Sequence, residues 1–246
     1  MIENAQLIGL SRQIALQRQM DVVANNMANM NTAGFKAEEI LFEEYVMPVA
    51  SHRDFPRPDQ PLSYVHDWAT RHDMVPGAIV QTGNELDVAL MGEGFLAVET
   101  PQGERYTRAG ALTLDAGGTL VDMNGFAVLS EAGPVTFGPE EVGITIGTDG
   151  SIASSAGPKG RIRVVEFENV QALTREGSNL WAGDGAIAAT ETRLVQGSIE
   201  RSNVSSITEM AEMIRVQRAY ESLANLMNQQ DDLRRTAIQR LGDANA

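Results

Sequence analysis

The chain has 246 residues, with 33 acidic against 19 basic side chains and a formal net charge of −14. A body this acidic repels bare nucleic acid and anionic lipid, because phosphate binding rests on clustered Lys and Arg. The absence of cysteine excludes disulfide staples, thiolate zinc sites and thiol nucleophiles, and no run approaches the roughly 18 uninterrupted apolar residues of a membrane span. Met1-Ile2-Glu3-Asn4 has neither a basic n-region nor an apolar h-region, so no cleavable secretory signal is expected.

Charge and glycine divide the chain into three parts. Residues 1–35 sum to zero, residues 205–246 to −1, and the remaining −13 falls between them. All glycines except Gly9, Gly34 and Gly242 lie between Gly77 and Gly197. The first segment reads as a helix: Leu16, Met20, Val23, Met27 and Met30 recur at spacings of three and four, the period of a coiled-coil stripe. Gly34 is its expected C-terminal stop. The cluster Asn25, Asn26, Asn29 and Asn31 costs helix propensity, and a buried amide fixes packing register in return. Residues 48–76, with five of the nine prolines and all three histidines, read as a long extended connector.

The middle reads as β structure. Turn signals at Asp115–Gly118, Asn124-Gly125 and Asp149-Gly150 separate short apolar runs. Residues 111–114, 125–129 and 161–167 are predicted strands of an antiparallel sandwich or open barrel. A final helix carries Met213, Val216, Tyr220, Leu223 and Met227 on one stripe, with Ser205 or Ser206 at its start and Glu209 completing a capping box after Ser206. The fold class is therefore α+β: N- and C-terminal helices with coiled-coil-like stripes, and a central antiparallel β domain between them in the chain. Domain limits are expected at 1–35 (helix), 36–80 (connector), 81–197 (β domain) and 198–246 (helix).

Catalytic constellations are missing from the sequence. There is no G-x-S-x-G elbow, Walker loop or H-E-x-x-H pair. His52, His66 and His72 read as exposed loop residues, and Gly92-Glu93-Gly94 as a turn between strands. The acid pairs Glu85 with Asp87 and Glu140 with Glu141 read as solvated surface. Arg105 and Arg108 read as structural ion-pair partners rather than an anion site. No catalytic residue, cofactor or metal ligand is predicted.

Ala24-Asn25-Asn26 leading into Thr32-Ala33-Gly34-Phe35-Lys36 resembles the N-terminal signature of the axial proteins of the bacterial flagellum, a family of rod, hook and related basal-body proteins. Thr82, Gly83, Asn84, Asp87, Gly92, Gly94 and Phe95 match its central signature, and Thr107, Arg108 and Gly110 continue it. Gly197-Ser198-Ile199-Glu200, Ser202-Asn203-Val204 and Gln217-Arg218-Ala219-Tyr220 repeat its C-terminal pattern. The chain departs from the pattern at Met27 (usually leucine), Leu96 (usually aromatic) and Arg201 (usually small). Length and the run Asp67–Thr70 look most like the proximal-rod members, with the distal-rod members as the alternative.

The resemblance implies that both terminal helices pair as a coiled-coil-like inner domain with the β domain as the outer layer, in a structural subunit that polymerises into the rod and carries motor torque across the periplasm. It implies export through the flagellar type III apparatus without a cleaved signal, and partners that are further copies and other rod proteins. Leu16, Met20, Val23, Met27 and Met30 would face Met213, Val216, Tyr220, Leu223 and Met227, within one chain or between neighbours, with Asn25, Asn26 and Asn29 setting register. The Gly92–Phe95 region would adjust to non-identical neighbours. Two other readings stand beside this one: a secreted polysaccharide-binding β domain, and a cytosolic hydrolase using Glu85 and Asp87. Neither accounts for apolar stripes at both ends.

Overall fold

The computed structural model of the chain describes residues 2–46 and 63–243; side chains 2–7, 42–46, 63–68, 238 and 241–243 are outside that description. His52 and the prolines from Pro48 to Pro61 therefore lie outside the described residues, as do the side chains of His66, Asp67 and Trp68. Helix α1 (Ile2–Ala28) is followed by β1 (Glu38–Val46), β2 (Ser63–His72), β3 (Ile79–Gln81), β4 (Val88–Met91), β5 (Phe95–Thr100) and β6 (Gly103–Thr107). Next come β7 (Leu112–Leu114), β8 (Leu120–Asp122), β9 (Ala127–Ser130), β10 (Gly133–Pro134), β11 (Thr145–Ile146), β12 (Ser151–Ser154) and β13 (Gly157–Arg161). The β region ends with β14 (Val164–Glu166), β15 (Thr174–Glu176), β16 (Leu180–Ala182), β17 (Ile187–Ala188), β18 (Arg193–Gln196) and β19 (Ser198–Glu200), before helix α2 (Ser206–Asp243). The α+β class is thus realised as two terminal helices around a central antiparallel β region.

The chain forms two compact units, one of residues 1–27, 38–71 and 206–246, the other of residues 28–37 and 72–205. In the helical unit, α1 and α2 lie antiparallel. Gln13 Nε2 donates to Tyr220 Oη at 2.9 Å, and Gln19 Nε2 donates to Glu212 Oε1 at 2.8 Å. Gly9 lets the two helices approach, since a Cβ there would sit 3.3 Å from Met227 Sδ. Strands β1 and β2 pair in a two-stranded sheet.

The β unit is built on one large antiparallel sheet whose path runs β15-β16-β6-β5-β9-β8-β7, with β10, β14 and β17 attached. A three-stranded sheet β11-β12-β13 and the ladders β18-β4 and β19-β3 complete it. Side chains alternate along a strand, and β5 uses both faces: Leu96 and Val98 enter one apolar cluster, Phe95 and Ala97 the other. The first cluster is mostly aliphatic; the second is rich in aromatic rings, with Tyr106 and Phe167 edge to face at 4.9 Å.

Several local expectations are corrected. Helix α1 ends at Ala28, before Gly34, and Met30 falls in the turn beyond it. The cause is local competition for hydrogen bonds: Thr32 N–H donates to the Asn29 carbonyl at 3.0 Å and Thr32 Oγ1 meets Asn29 Oδ1 at 3.2 Å. Residues 161–167 are not one strand. Arg161 ends β13 and Val164 begins β14, because Arg163 N–H turns to the Leu129 carbonyl at 2.9 Å as the chain passes between sheets. At the start of α2, which opens at Ser206, the Glu209 carboxyl meets Asn26. His72 is buried against Trp181, 4.7 Å between ring centroids, rather than exposed in a loop.

Candidate functional site

In the helical unit both stripes face inward. Val23 and Val216 are buried, and Leu16, Met20, Met27, Met213, Tyr220, Leu223 and Met227 are half-buried. Asn25 is exposed, and Asn29 closes the turn after α1. Asn26 is buried, and its amide pairs with a single residue of β1: Nδ2 donates to the Glu38 carbonyl at 2.9 Å while Oδ1 accepts from the Glu38 N–H at 3.0 Å. It also hydrogen-bonds the Glu209 carboxyl. One amide thus joins α1, β1 and the first turn of α2. Burial pushes the Glu209 carboxyl above its ordinary value, the Asn26 bond opposes this, and the charges of Glu212 and Glu39 reinforce it.

A second face of each helix was missed in the sequence. Leu10 and Ile14 on α1 and Ile207, Met210, Ile214 and Leu226 on α2 are exposed large apolar residues. The inner stripe absorbed the periodicity signal, and the outer one is shorter and interrupted by charges.

In the β unit the signature residues converge. Lys36, Arg108 and Glu200 are nearly solvent-free and form a buried cation–anion–cation cluster. Glu200 Oε1 accepts from Lys36 Nζ at 2.7 Å and from the Gly77 N–H at 2.9 Å, while Oε2 accepts from Arg108 Nε at 2.9 Å. The surplus positive charge is solvated by backbone: Lys36 donates to the Val75 carbonyl at 2.9 Å, and Arg108 to those of Gly94 at 2.8 Å and Gly92 at 3.0 Å. Burial pushes the Lys36 ammonium below its ordinary value, helped by the Arg108 charge and opposed by Glu200. For Glu200, burial acts against ionisation, yet Arg108 and Lys36 hold the carboxyl below its ordinary value.

The glycines around this cluster are there for space. At Gly34, φ is +67° and a Cβ would lie 2.3 Å from the Arg108 backbone; this is its role, rather than ending α1. At Gly110 a Cβ would lie 1.6 Å from the Val88 carbonyl oxygen. Phe35 is fully buried beneath the Arg175 guanidinium, 3.9 Å from its ring centroid. Asn203 Oδ1 accepts from the Ala37 N–H at 2.8 Å and its Nδ2 donates to the Asp73 carbonyl at 2.8 Å, pinning the chain on either side of the cluster.

Asp87 collects Thr82 Oγ1 at 2.6 Å and Asn84 Nδ2 at 3.0 Å, and its carbonyl accepts from the Gly197 N–H at 2.7 Å. It is buried, so Glu85 and Asp87 do not make a paired surface carboxylate site. Glu141 is likewise no free acid: Lys159, Ser154 and the Gly138 N–H hold its carboxyl down to about 2. Thr107 Oγ1 donates to the Asn179 carbonyl at 3.0 Å. The Gly92–Phe95 turn is anchored within the chain: Arg108 donates to two of its carbonyls, the Gly94 N–H donates to Thr192 Oγ1 at 2.9 Å, and Phe95 is buried. Arg105 pairs with Glu176 at 2.7 Å near the surface. Ser202 accepts from the Val204 N–H, and Arg218 is exposed on α2. Arg201 is exposed and outside the left-handed region, so a large side chain is accommodated there. Leu96 fills the aliphatic cluster.

Among the described residues no group of three His, Asp or Glu is placed to hold a metal ion, and no helix is long and apolar enough to cross a membrane. The charges of Lys36, Arg108 and Glu200 are committed to one another or to backbone. Residues 7–36 match the family model described as flagella basal body rod protein, residues 89–154 that of the flagellar hook protein FlgE/F/G D1 domain, and residues 195–240 that of the flagellar basal body rod FlgEFG protein C-terminal. The chain is 36% identical over 248 residues to the flagellar basal-body rod protein FlgF of Caulobacter vibrioides, covering 99% of this chain and 100% of that one. It is 31% identical to FlgG of Bacillus subtilis (92% and 94% covered) and 32% identical to FlgF of Escherichia coli (87% and 88% covered). With motifs from both ends and the middle meeting at one buried cluster, and similarity running the length of the chain, this protein belongs to the flagellar basal-body rod protein family.

Proposed function

We propose that this chain is a structural subunit of the proximal rod, crossing the periplasm as part of the shaft that transmits motor torque, with the distal rod as the alternative position. The carrying observation is similarity to FlgF over 99% of the chain, joined to a helical unit with apolar residues on more than one face. The helices pack in coiled-coil fashion and supply the contacts to neighbouring copies and other rod proteins. Leu16, Met20, Val23 and Met27, with Met213, Val216, Tyr220, Leu223 and Met227, form the inner seam, and Asn26 fixes its register through Glu38 and Glu209. Torque is shared over many apolar contacts, while the Lys36–Glu200–Arg108 cluster stiffens the β unit. The chain leaves the cell unfolded through the type III export apparatus, for which a lack of cysteine is suited. Its action is mechanical rather than catalytic.

Removing the chain from its cell tests this reading. Basal bodies should lack a complete rod and motility should stop, with recovery from the wild-type chain but not from Val23→Asp. Normal rods without the chain would overturn the proposal.

A further inference from the structure

We infer that the β15–β16 hairpin is a strained clasp over residues 33–36, and that its release is a local opening step. Release uncovers Phe35 and the segment around it while the rest of the large sheet stays folded.

Ser178 and Asn179 form the tip of the hairpin, with φ of +64° and +59°. They are the only non-glycine residues at positive φ among the described residues. Two successive left-handed residues make the tight turn that Asn-Gly or Gly-Gly ordinarily fills, because an L side chain there crowds the following carbonyl. Glycine at 179 would remove that crowding, yet the side chain present has a partner: Asn179 Nδ2 donates to the Ala33 carbonyl at 3.0 Å. From β15, the Arg175 guanidinium covers the Phe35 ring at 3.9 Å, and Phe35 is fully buried. The hairpin therefore grips the segment at a backbone carbonyl and at a ring.

This grip is made at a weak place in the sheet. Strand β15 ends the path of the large sheet, and β16 joins β6 through one residue pair, Trp181 with Tyr106. Thr107 Oγ1 and Asn124 Nδ2 hold the tip by the carbonyls of Asn179 and Ser178, at 3.0 and 3.1 Å. Two buried polar atoms of the same hairpin, Asn179 Oδ1 and Trp181 Nε1, have no hydrogen-bond partner among the described residues. Backbone strain and unsatisfied polar atoms both raise the free energy of the closed state. Strand β5, by contrast, is paired with β6, β9 and β14. An edge hairpin carrying such costs opens before the sheet interior does.

Native-state hydrogen exchange of the purified full chain tests the clasp. Asn179→Asp keeps the size of the side chain and its tolerance of the left-handed region, but leaves no side-chain N–H for Ala33. Peptides covering residues 33–37 should then exchange about tenfold faster or more, with β5 and β9 unchanged. Ser178→Gly relieves the turn and leaves Asn179 in place, so the same peptides should exchange about fivefold more slowly. Acceleration in Asn179→Asp that is equal over β5 and β9, or absent from residues 33–37, overturns the inference. Unaltered exchange of residues 33–37 in Ser178→Gly overturns it as well, and that variant decides the matter should Asn179→Asp not fold.

Discussion

Replacing Glu200 by glutamine removes the one negative charge from a buried cluster that also holds Lys36 and Arg108. The shape is kept, and Oε1 can still accept from Lys36 and Gly77, but the new amide N–H₂ faces the donor fork of Arg108. Breaking a buried ion pair by deleting one partner costs about 3–5 kcal/mol. Against a typical stability of roughly 5–15 kcal/mol, that is at least about a fifth of the total. At about 2–4 °C per kcal/mol for a chain of this size, the expected fall in Tm is about 6–20 °C. Thermal unfolding followed by near-UV circular dichroism, reporting the buried Trp181, measures it.

The pH dependence gives a second readout. The folded-state pKa of Lys36 is already lowered, and loss of Glu200 lowers it further. Between that value and the unfolded value the native state holds fewer protons, so stability rises with pH. The deficit of Glu200→Gln should therefore shrink as pH rises towards the ordinary lysine value of 10.5. A variant melting within about 1 °C of wild type at neutral pH would falsify the view that this cluster holds the β unit together.

Gly34→Ala meets both a positive φ of +67° and the Arg108 backbone at 2.3 Å, whereas Gly125→Ala meets a φ of +85° and open space. Strain alone costs about 1–3 kcal/mol, so denaturant titration should find Gly34→Ala clearly the worse of the two; equal losses would remove the steric argument. Val23→Asp places an uncompensated charge in the helical seam and should stop incorporation into rods while the β unit keeps its near-UV spectrum. Because the folded-state pKa of Glu209 is raised, its contribution favours the helical unit at low pH and is lost as pH rises through that value. Amide exchange at the start of α2, corrected for intrinsic rate, should be slower at about pH 5 than at about pH 7, and Glu209→Gln should abolish that difference.

The helices and the antiparallel character of the middle were legible because both rest on local periodicity and turn chemistry, as with Leu16 to Met27 and Asp115 to Gly118. The charge cluster was not. Lys36, Arg108 and Glu200 are separated by whole strands, and nothing local to Glu200 distinguishes a buried partner from a surface acid. Asn26 was singled out for its amide, but its pairing with the Glu38 backbone depends on where β1 returns. Gly34 was visible as a left-handed position, while the reason for it sits at Arg108.

The central claim is that the two terminal helices make the contacts of assembly. Hydrogen exchange of residues 8–28 and 206–233, measured in the free chain and in purified basal bodies, tests it most directly. The account predicts a large gain in protection on both helices, including the first turns of α2 around Ile207 and Ile214. Equal protection of both helices in the two states, with changes confined to residues 72–205, would contradict it.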